Sequence, residues 1–461
     1  MIAAPFLGLL LGLAALLLLA SPWPFLAPLV VVGLFGLTLL YRRPGWGLLG
    51  ICALVPFEGL FKDSAFSGAK LLGASLILIM LFKLLLRQIP DTRLRSNLWR
   101  ALGPFLLCLL LSMLYSENLL VSLDSLRELA VGLVLFFVTL LIAREVNLLM
   151  LCRLLAVSVA ITCVIALVSA KYQVGGRAIG LLQDANYFAL LIAMAVPPAI
   201  FLALRSPHWP VRLFWVGISL TLMAGMTKTD SRSGLLVVLF TIAIGVWHYR
   251  DRLKGLRPKH LGFAMFAVAI VIPLGIAVLP AEYVARIQSL SMLKSGAHSA
   301  DTSLGRRTSY LVVGGQMIRQ NPLLGSGLGT FPIHYAQTGF ASSFSENMNE
   351  PDLFRRAHNT YLELFSELGI PGGLSFVALM LMGLRNFERA RQGFLARGQR
   401  EQADIATHLG LSLLAMAVFL LFLSAPNHKY LWIFLALSSV LRLQAEDAPV
   451  PRPAPAWQRR V

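Results

Sequence analysis

Residues 148–169, LLMLCRLLAVSVAITCVIALVS, are apolar at nearly every position and carry a single charge, Arg153. A helix needs about 20 such residues to cross the hydrocarbon core of a bilayer. Because lipid offers no partners for backbone N–H and C=O groups, a chain that enters it forms helices or a closed barrel. The length and continuity of this stretch predict a transmembrane helix.

Comparable stretches recur from one end of the chain to the other. Hydrophobic residues make up 57% of the sequence and charged residues 13%, and the mean hydropathy is +0.73, which excludes an ordinary soluble domain. The predicted spans lie near residues 3–20, 25–41, 46–60, 68–86, 98–115, 126–143, 148–169, 186–204, 211–226, 234–249, 261–280, 358–384, 407–424 and 427–443. The sequence therefore predicts an all-α fold, a polytopic transmembrane helical bundle of about 12–14 spans.

The positive charge is concentrated in alternate loops. A formal net charge of +18 is found in many proteins that bind nucleic acid, yet here the lysines and arginines lie mainly in every second loop between predicted spans. This is the pattern of cytoplasmic loops in helical membrane proteins. It predicts a multi-pass protein with both termini in the cytoplasm and no nucleic-acid partner.

The loops on the opposite, exterior side are short, with one exception. Residues 281–357 form a segment of roughly seventy residues, too long for a simple connection, and we interpret it as a folded exterior loop containing short helices. It separates a transmembrane region, residues 1–280, from C-terminal transmembrane helices, residues 358–443. Residues 444–461, rich in Pro and Ala, are predicted to be a disordered cytoplasmic tail.

The sequence shows no signature of a metal or nucleotide cofactor. Its cysteines, Cys52, Cys108, Cys152 and Cys163, all fall inside predicted spans, which favours neither disulfides nor a zinc site. It contains no H-E-x-x-H, no G-x-x-x-x-G-K-[ST] and no cluster of carboxylates suited to a divalent metal. We expect no metal, no cofactor and no ATP hydrolysis within this chain.

Arg177 lies in the exterior loop before the eighth predicted span, between Gly176 and Gly180. Glycines let the backbone approach a ligand closely, and guanidinium is a planar, permanently charged group suited to phosphate oxygens. The alternative is an anchor to lipid headgroups, which arginines at span ends often provide. Asp184 and Asn186 follow, and Asp184 is expected to cap the next helix.

Three further arginines are predicted on the exterior side. Arg232 lies in the short turn 229–234 and is interpreted first as a structural partner, for example of Asp230, and second as a ligand contact. Arg306 and Arg307 fall in the first turn of a predicted loop helix, where positive charge is unfavourable unless an anion lies nearby. A bound pyrophosphate, a lipid headgroup or Asp301 could supply that anion.

The long polar loop closes with residues 356–369, RAHNTYLELFSELG. Its histidine, His358, has an ordinary pKa near neutrality and could accept a proton from a hydroxyl group. Asn359, Glu363 and Glu367 recur at four-residue spacing and would share one helix face. The alternative reading of His358 is a polar filler at the membrane interface.

Several exterior segments resemble, in pattern and in order, the motifs of the O-antigen ligase and polymerase family of bacterial membrane proteins. The motifs are an arginine–glycine loop leading to an Asp-Pro-Asn element, a Ser-Arg-small-Gly turn, a long-loop signature and a His-Asn element, at residues 177–189, 229–234, 305–331 and 358–369. Ala185 stands where the family usually has the proline. The resembling region covers roughly residues 170–385.

The resemblance implies a metal-independent membrane glycosyltransferase. Such proteins move a glycan from an undecaprenyl-pyrophosphate carrier to an acceptor hydroxyl on the periplasmic face of the bacterial inner membrane, the acceptor being another glycan, lipid A core or a protein. The catalytic residues implied are Arg177 and Arg306, which would hold the pyrophosphate, and His358, which would be the base. The residues implied to bind substrate are Arg232, Asn186, Asn359, Gly325 and Gly327.

A transporter or flippase of lipid-linked saccharides is the main alternative. Transporters usually place polar residues near the bilayer midplane and in repeated halves, whereas the charges of interest here lie at exterior span ends. A noncatalytic scaffold would leave the exterior arginines and histidine without a task. Within the family, the sequence leaves polymerase and ligase both open, together with the sugar and the acceptor.

Overall fold

The structure, a computed structural model, describes residues 26–61, 68–182, 184–250, 302–344 and 353–447, with a few isolated residues before 26. Its helices are α1 Leu26–Arg42, α2 Pro44–Leu54, α3 Gly68–Leu85, α4 Trp99–Leu114, α5 Leu119–Ile142, α6 Leu148–Val168, α7 Ala185–Arg205, α8 Trp209–Lys228, α9 Arg232–His248, α10 Thr302–Gln320, α11 Phe331–Ala336, α12 Gly339–Ser343, α13 Thr360–Glu367, α14 Gly369–Ala396, α15 Arg400–Phe419 and α16 Lys429–Asp447. One antiparallel hairpin, β1 Gln173–Val174 and β2 Arg177–Ala178, joins α6 to α7.

Most of the predicted span 3–20, the span 261–280 and the loop residues 281–301 lie outside the described residues. Within the described residues, seven helices are long and apolar enough to cross a membrane: α3, α5, α6, α7, α8, α14 and α15. Shorter apolar helices, among them α4 and α9, accompany them. The predicted all-α, polytopic helical architecture is confirmed.

Several predicted span boundaries were wrong. The span predicted at 358–384 is two helices, because the helix is interrupted at Gly369. The φ of Gly369 is +70°, a conformation that glycine adopts without strain. α14 then continues to Ala396, and α16 runs to Asp447, into the segment predicted as a tail. Polar residues extend these helices into the aqueous layer, where a hydropathy pattern no longer marks them.

The core is built around α7 and α16. Nearly every residue of α7 between Phe188 and Ala203 is buried, and its alanines allow neighbouring helices to approach closely. In α16, Trp432 is fully buried between Phe105 of α4 and Phe136 of α5, and its Nε1 donates to the carbonyl of Pro426 at 2.9 Å. The central helices are therefore held in place by the helices packed around them.

The helices carry polar groups of different kinds to the two ends of the bundle. At one end, Asn186 near the start of α7 contacts Ser231 at the start of α9. At the other, Arg205 at the end of α7 pairs with Glu401 at 2.7 Å, and Arg93 pairs with Glu145 at 2.6 Å. The exterior loop segment, α10 to α12, lies at the first end and has its own small core of Tyr310, Val313, Met317, Phe331, Tyr335, Ala341 and Ala357.

Candidate active site

His358 lies where the exterior loop meets α13, and its backbone φ is +47°. This left-handed conformation is uncommon outside glycine, although Asn, Asp and His adopt it more readily than other residues. The imidazole lies 5.9 Å, centroid to centroid, from the ring of Tyr310, which is itself buried against Phe331 and Tyr335. The loop core therefore holds the His358 side chain in place.

Burial lowers the pKa of His358, and the positive charge of Arg307 lowers it further. Asp184 and Glu363 act in the opposite direction. The start of α7, the loop helix α10 and α13 thus all bring charge to bear on this ring. A lowered pKa keeps the imidazole neutral at physiological pH, the form that can accept a proton from a hydroxyl group.

Asp184 and Asn186 organise the helix ends beside His358. Asp184 caps α7 by accepting hydrogen bonds from the backbone N–H groups of Asn186 and Tyr187, each at 2.8 Å, which confirms the predicted cap. The Oδ1 of Asn186 accepts a hydrogen bond from Ser231, the N-cap of α9, at 3.3 Å. Two helix N-termini meet here, and their positive ends favour a bound anion.

Arg177 joins the same cluster from the β-hairpin. Its Nε donates to the carbonyl of Thr229 at 3.0 Å, and the Oγ1 of Thr229 accepts from the backbone N–H of Ser231 at 3.3 Å. Arg232, the first residue of α9, follows directly. Arg177 and Arg232 both interact with neighbouring groups of the protein, so each has a structural task, and their ligand contacts remain predictions.

The adjacent arginines of α10 have different surroundings. Arg306 donates from a terminal guanidinium nitrogen to the carbonyl of Phe344 at 2.6 Å and lies 6.0 Å from the Phe344 ring, while its Nε is buried with no partner among the described residues. Arg307 lies 5.8 Å from the ring of Phe422 and acts on His358. The charge of Arg307 therefore acts on the pKa of the histidine, whereas Arg306 is bonded to the loop.

Gly325 and Gly327 form a turn packed against the start of α5 and the end of α13. The N–H of Gly327 donates to the carbonyl of Glu367 at 3.0 Å, and that of Ser326 donates to the carbonyl of Ser366 at 3.2 Å. A Cβ on Gly325 would lie 2.2 Å from the Glu367 carbonyl oxygen, and one on Gly327 would lie 2.4 Å from Ser116 Oγ. The turn has a packing role, and its predicted contact with substrate is untested.

Gly325→Ala is expected to lower the free energy of unfolding by about 3 kcal/mol or more, from left-handed strain and overpacking together. Gly175→Ala is the matched control, because Gly175 also has a positive φ (+56°) but a Cβ there meets nothing within 4 Å; strain alone should cost about 1 kcal/mol. Thermal unfolding of both variants in detergent measures the difference. Equal stability of the two, with donor binding lost only in Gly325→Ala, would instead establish a ligand contact at the turn.

Two buried carboxyl groups line α13 beneath the turn. Glu363, 1% exposed, forms an ion pair with Arg356, whose Nε donates to its Oε1 at 2.8 Å. Glu367 accepts from the backbone N–H of Phe331 at 3.1 Å, and burial together with the nearby Glu363 raises the pKa of Glu367. Asn359 is the N-cap of α13, accepting from the Leu362 N–H at 3.1 Å. These contacts hold the helix that follows His358.

Glu367→Gln is expected to make stability less dependent on pH. A folded-state pKa above the unfolded value contributes stability that is complete below the ordinary carboxyl pKa and is lost as the pH rises towards the raised pKa. Glutamine cannot ionise, and its carbonyl can keep the Phe331 hydrogen bond, so the variant should lose less Tm than wild type from mildly acidic to mildly alkaline pH. Glu446→Gln is the control, because Glu446 is exposed at the other end of the bundle; its Tm should change with pH as the wild-type Tm does. If Tm fell with rising pH by the same amount in wild type and in Glu367→Gln, Glu367 could not be neutral in the folded protein.

The arrangement combines a partly buried histidine with a lowered pKa, arginines from three segments and two helix N-termini at one end of a membrane bundle. Compared with known protein families, the chain matches the model described as O-antigen ligase over residues 217–377. Residues 217–377 belong to the O-antigen ligase family. This O-antigen ligase segment contains Arg232, Arg306, Arg307, the glycine turn and His358, and the resemblance drawn from the motifs is confirmed. A comparison with curated proteins finds no match.

A turn between α15 and α16 also supports the site, and it is longer than the loop that the sequence analysis predicted there. Residues 420–428 were assigned mostly to two spans, but they form a turn on which the site rests. Leu420 accepts from the Thr360 N–H at 2.8 Å, Ser424 accepts from the Tyr187 hydroxyl at 2.9 Å, and His428 stacks on Tyr187 at 6.3 Å. The predicted spans 407–424 and 427–443 left only two residues for this turn, because the residues on either side are apolar; Pro426 and Asn427 mark its centre.

Proposed function

We propose that this protein is a membrane glycosyltransferase that moves a glycan from an undecaprenyl-pyrophosphate carrier to an acceptor hydroxyl on the periplasmic face of the bacterial inner membrane. Membership of the O-antigen ligase family supports an enzyme that ligates or polymerises lipid-linked glycans. The observation that carries the proposal is the partly buried His358, whose pKa is lowered by burial and by the charge of Arg307. An enzyme that activates a hydroxyl can use such a base, whereas moving a lipid-linked glycan across the bilayer removes no proton from a hydroxyl.

In the proposed reaction, His358 accepts the proton of the acceptor hydroxyl while that oxygen attacks the anomeric carbon of the donor. The bond from this carbon to the pyrophosphate oxygen breaks, and the electron pair leaves with the pyrophosphate on its lipid. Fixed positive charge stabilises the leaving group and can replace a metal ion. A single displacement of this kind inverts the anomeric carbon.

The arginines divide this electrostatic work. Arg177 and Arg306 are proposed to hold the pyrophosphate, and we add Arg307, which lies 5.8 Å from the Phe422 ring and lowers the pKa of His358. Arg232 would contribute from the N-terminus of α9, where the helix end also favours an anion. Asn186 and Asn359 would act by holding helix ends, since both side chains make hydrogen bonds there. The site then faces the periplasm, and both termini are cytoplasmic.

The test uses purified full-length protein in nanodiscs with a defined undecaprenyl-pyrophosphate glycan, with and without lipid A core, and a gel of the glycan products. A ladder from donor alone would establish a polymerase, and product only with lipid A core would establish a ligase. Transfer should survive chelation of divalent metals. Movement of the glycan lipid across the bilayer without any new glycosidic bond would replace transfer by transport.

A further inference from the structure

A groove of about 560 Å³ lies between α4 and α14, away from His358. Its apolar part is lined by Leu374, Ala378 and Met382, and its polar mouth by Arg100, Arg385 and Arg389. Arg385 lies about 24 Å along the axis of α14 from Gly369, at 1.5 Å per residue. Because the start of α14 is bonded to the exterior loop through Ile370 and Pro322, the mouth lies at the opposite membrane surface.

The three arginines at the mouth are exposed, and none forms an ion pair with a carboxylate of the described residues. Neighbouring arginines at this surface do have such partners, since Arg93 pairs with Glu145 and Arg391 with Glu388. Arg385 and Arg389 are four residues apart on one helix, a spacing at which like charges repel. A bound anion would relieve that repulsion.

The groove offers more than charge. Asn97 and Asn386 exchange hydrogen bonds of 2.9 Å between their amides and form a rigid polar floor at the mouth. From there the lining turns apolar towards Leu374, which is 55% exposed on the outer surface of the bundle. A soluble anion could use only the arginines, whereas a lipid could use the arginines and the apolar wall together.

We propose that this groove binds an anionic phospholipid, with its phosphate between Arg100, Arg385 and Arg389 and an acyl chain along Leu374, Ala378 and Met382. Basic pockets between membrane helices bind anionic headgroups in this way. The groove is at the surface opposite His358, so the ligand is distinct from the glycan donor. The inference does not depend on the proposed reaction.

The experiment is native mass spectrometry of the full-length protein in detergent, with phosphatidylglycerol, phosphatidylethanolamine or inorganic phosphate added. Phosphatidylglycerol should remain bound preferentially, and the double variant Arg385→Gln/Arg389→Gln should weaken that binding roughly tenfold or more. Ala378→Phe, which fills the apolar wall, should weaken it without removing charge. Arg400→Gln, an exposed arginine outside the groove, is the control and should bind as wild type.

Equal retention of both phospholipids, or undiminished binding in the double variant, would overturn the proposal. Competition by inorganic phosphate at concentrations similar to those of phosphatidylglycerol, with no effect of Ala378→Phe, would overturn it in favour of a soluble anion. Loss of binding in Arg400→Gln as well would show general surface charge instead of a site. Transfer activity need not be measured, so failure here leaves the proposed function untouched.

Discussion

His358→Asn is expected to lower kcat by about 10²- to 10⁴-fold, the usual contribution of a positioned general base. Asparagine is chosen because the backbone φ of His358 is +47°, a conformation that asparagine tolerates and alanine does not. The fold should therefore survive, and an unchanged Tm in detergent checks that it does. His334→Asn, which changes another histidine of the exterior loop, one close to Glu117, should retain most of the activity.

The pH dependence of the wild-type enzyme tests the same role. Because the folded protein lowers the pKa of His358, kcat/KM should fall only at pH values below the ordinary histidine range. A bound donor brings negative charge next to the imidazole and raises its pKa, so the acid limb of kcat should lie at higher pH than that of kcat/KM. Retention of activity and of this limb in His358→Asn would mean that another group removes the proton.

Arg307→Gln is expected to lower kcat by about 10²- to 10³-fold, the range found when one preorganised stabiliser of developing negative charge is removed. Arg307 also lowers the pKa of His358, so its loss should raise that pKa and move the acid limb of kcat/KM to higher pH. A purely structural residue would reduce activity without moving the limb. The measurement is a pH profile at saturating and subsaturating donor.

Arg306→Gln is the matched comparison, since the change is the same one residue away. Arg306 bonds to Phe344, so its loss should loosen the loop and weaken donor binding without moving the acid limb. If Arg306→Gln moved the acid limb of kcat/KM and Arg307→Gln did not, Arg306 would be the residue that acts on His358, contrary to our assignment. If both variants lost activity equally and neither moved the acid limb of kcat/KM, Arg307 would have no direct effect on His358.

The contrast between these arginines shows where sequence patterns reach their limit. Both lie in the first turns of a loop helix, and the family resemblance selected Arg306. Successive residues on a helix point about 100° apart, so one guanidinium meets Phe344 and the other approaches Phe422 and His358. Only the packing of α10 against the exterior turn decides which arginine lies beside the histidine.

The glycine turn gives the same lesson from the backbone. Residues 325–329 are typical of a flexible, ligand-approaching turn, but the close contacts of Gly325 and Gly327 are with the protein itself. The break at Gly369 was hidden for a related reason, because hydropathy continues across it while the backbone direction changes. A glycine in the sequence shows that a positive φ is possible at that position, but it does not show whether the turn contacts a ligand or packs against the protein.

The sequence by itself determined that this is a helical, multi-pass membrane protein, and the order of its motifs indicated the O-antigen ligase family that residues 217–377 match. It could do so because an apolar run of about 20 residues satisfies its backbone groups in lipid by forming a helix, and because charge distribution and motif order can be read along the chain. Only the tertiary structure decided which charges surround His358 and which residues serve packing. Those outcomes depend on contacts between segments as distant as Asp184, Arg307 and Phe422, and pairing at that distance is decided by how the helices pack.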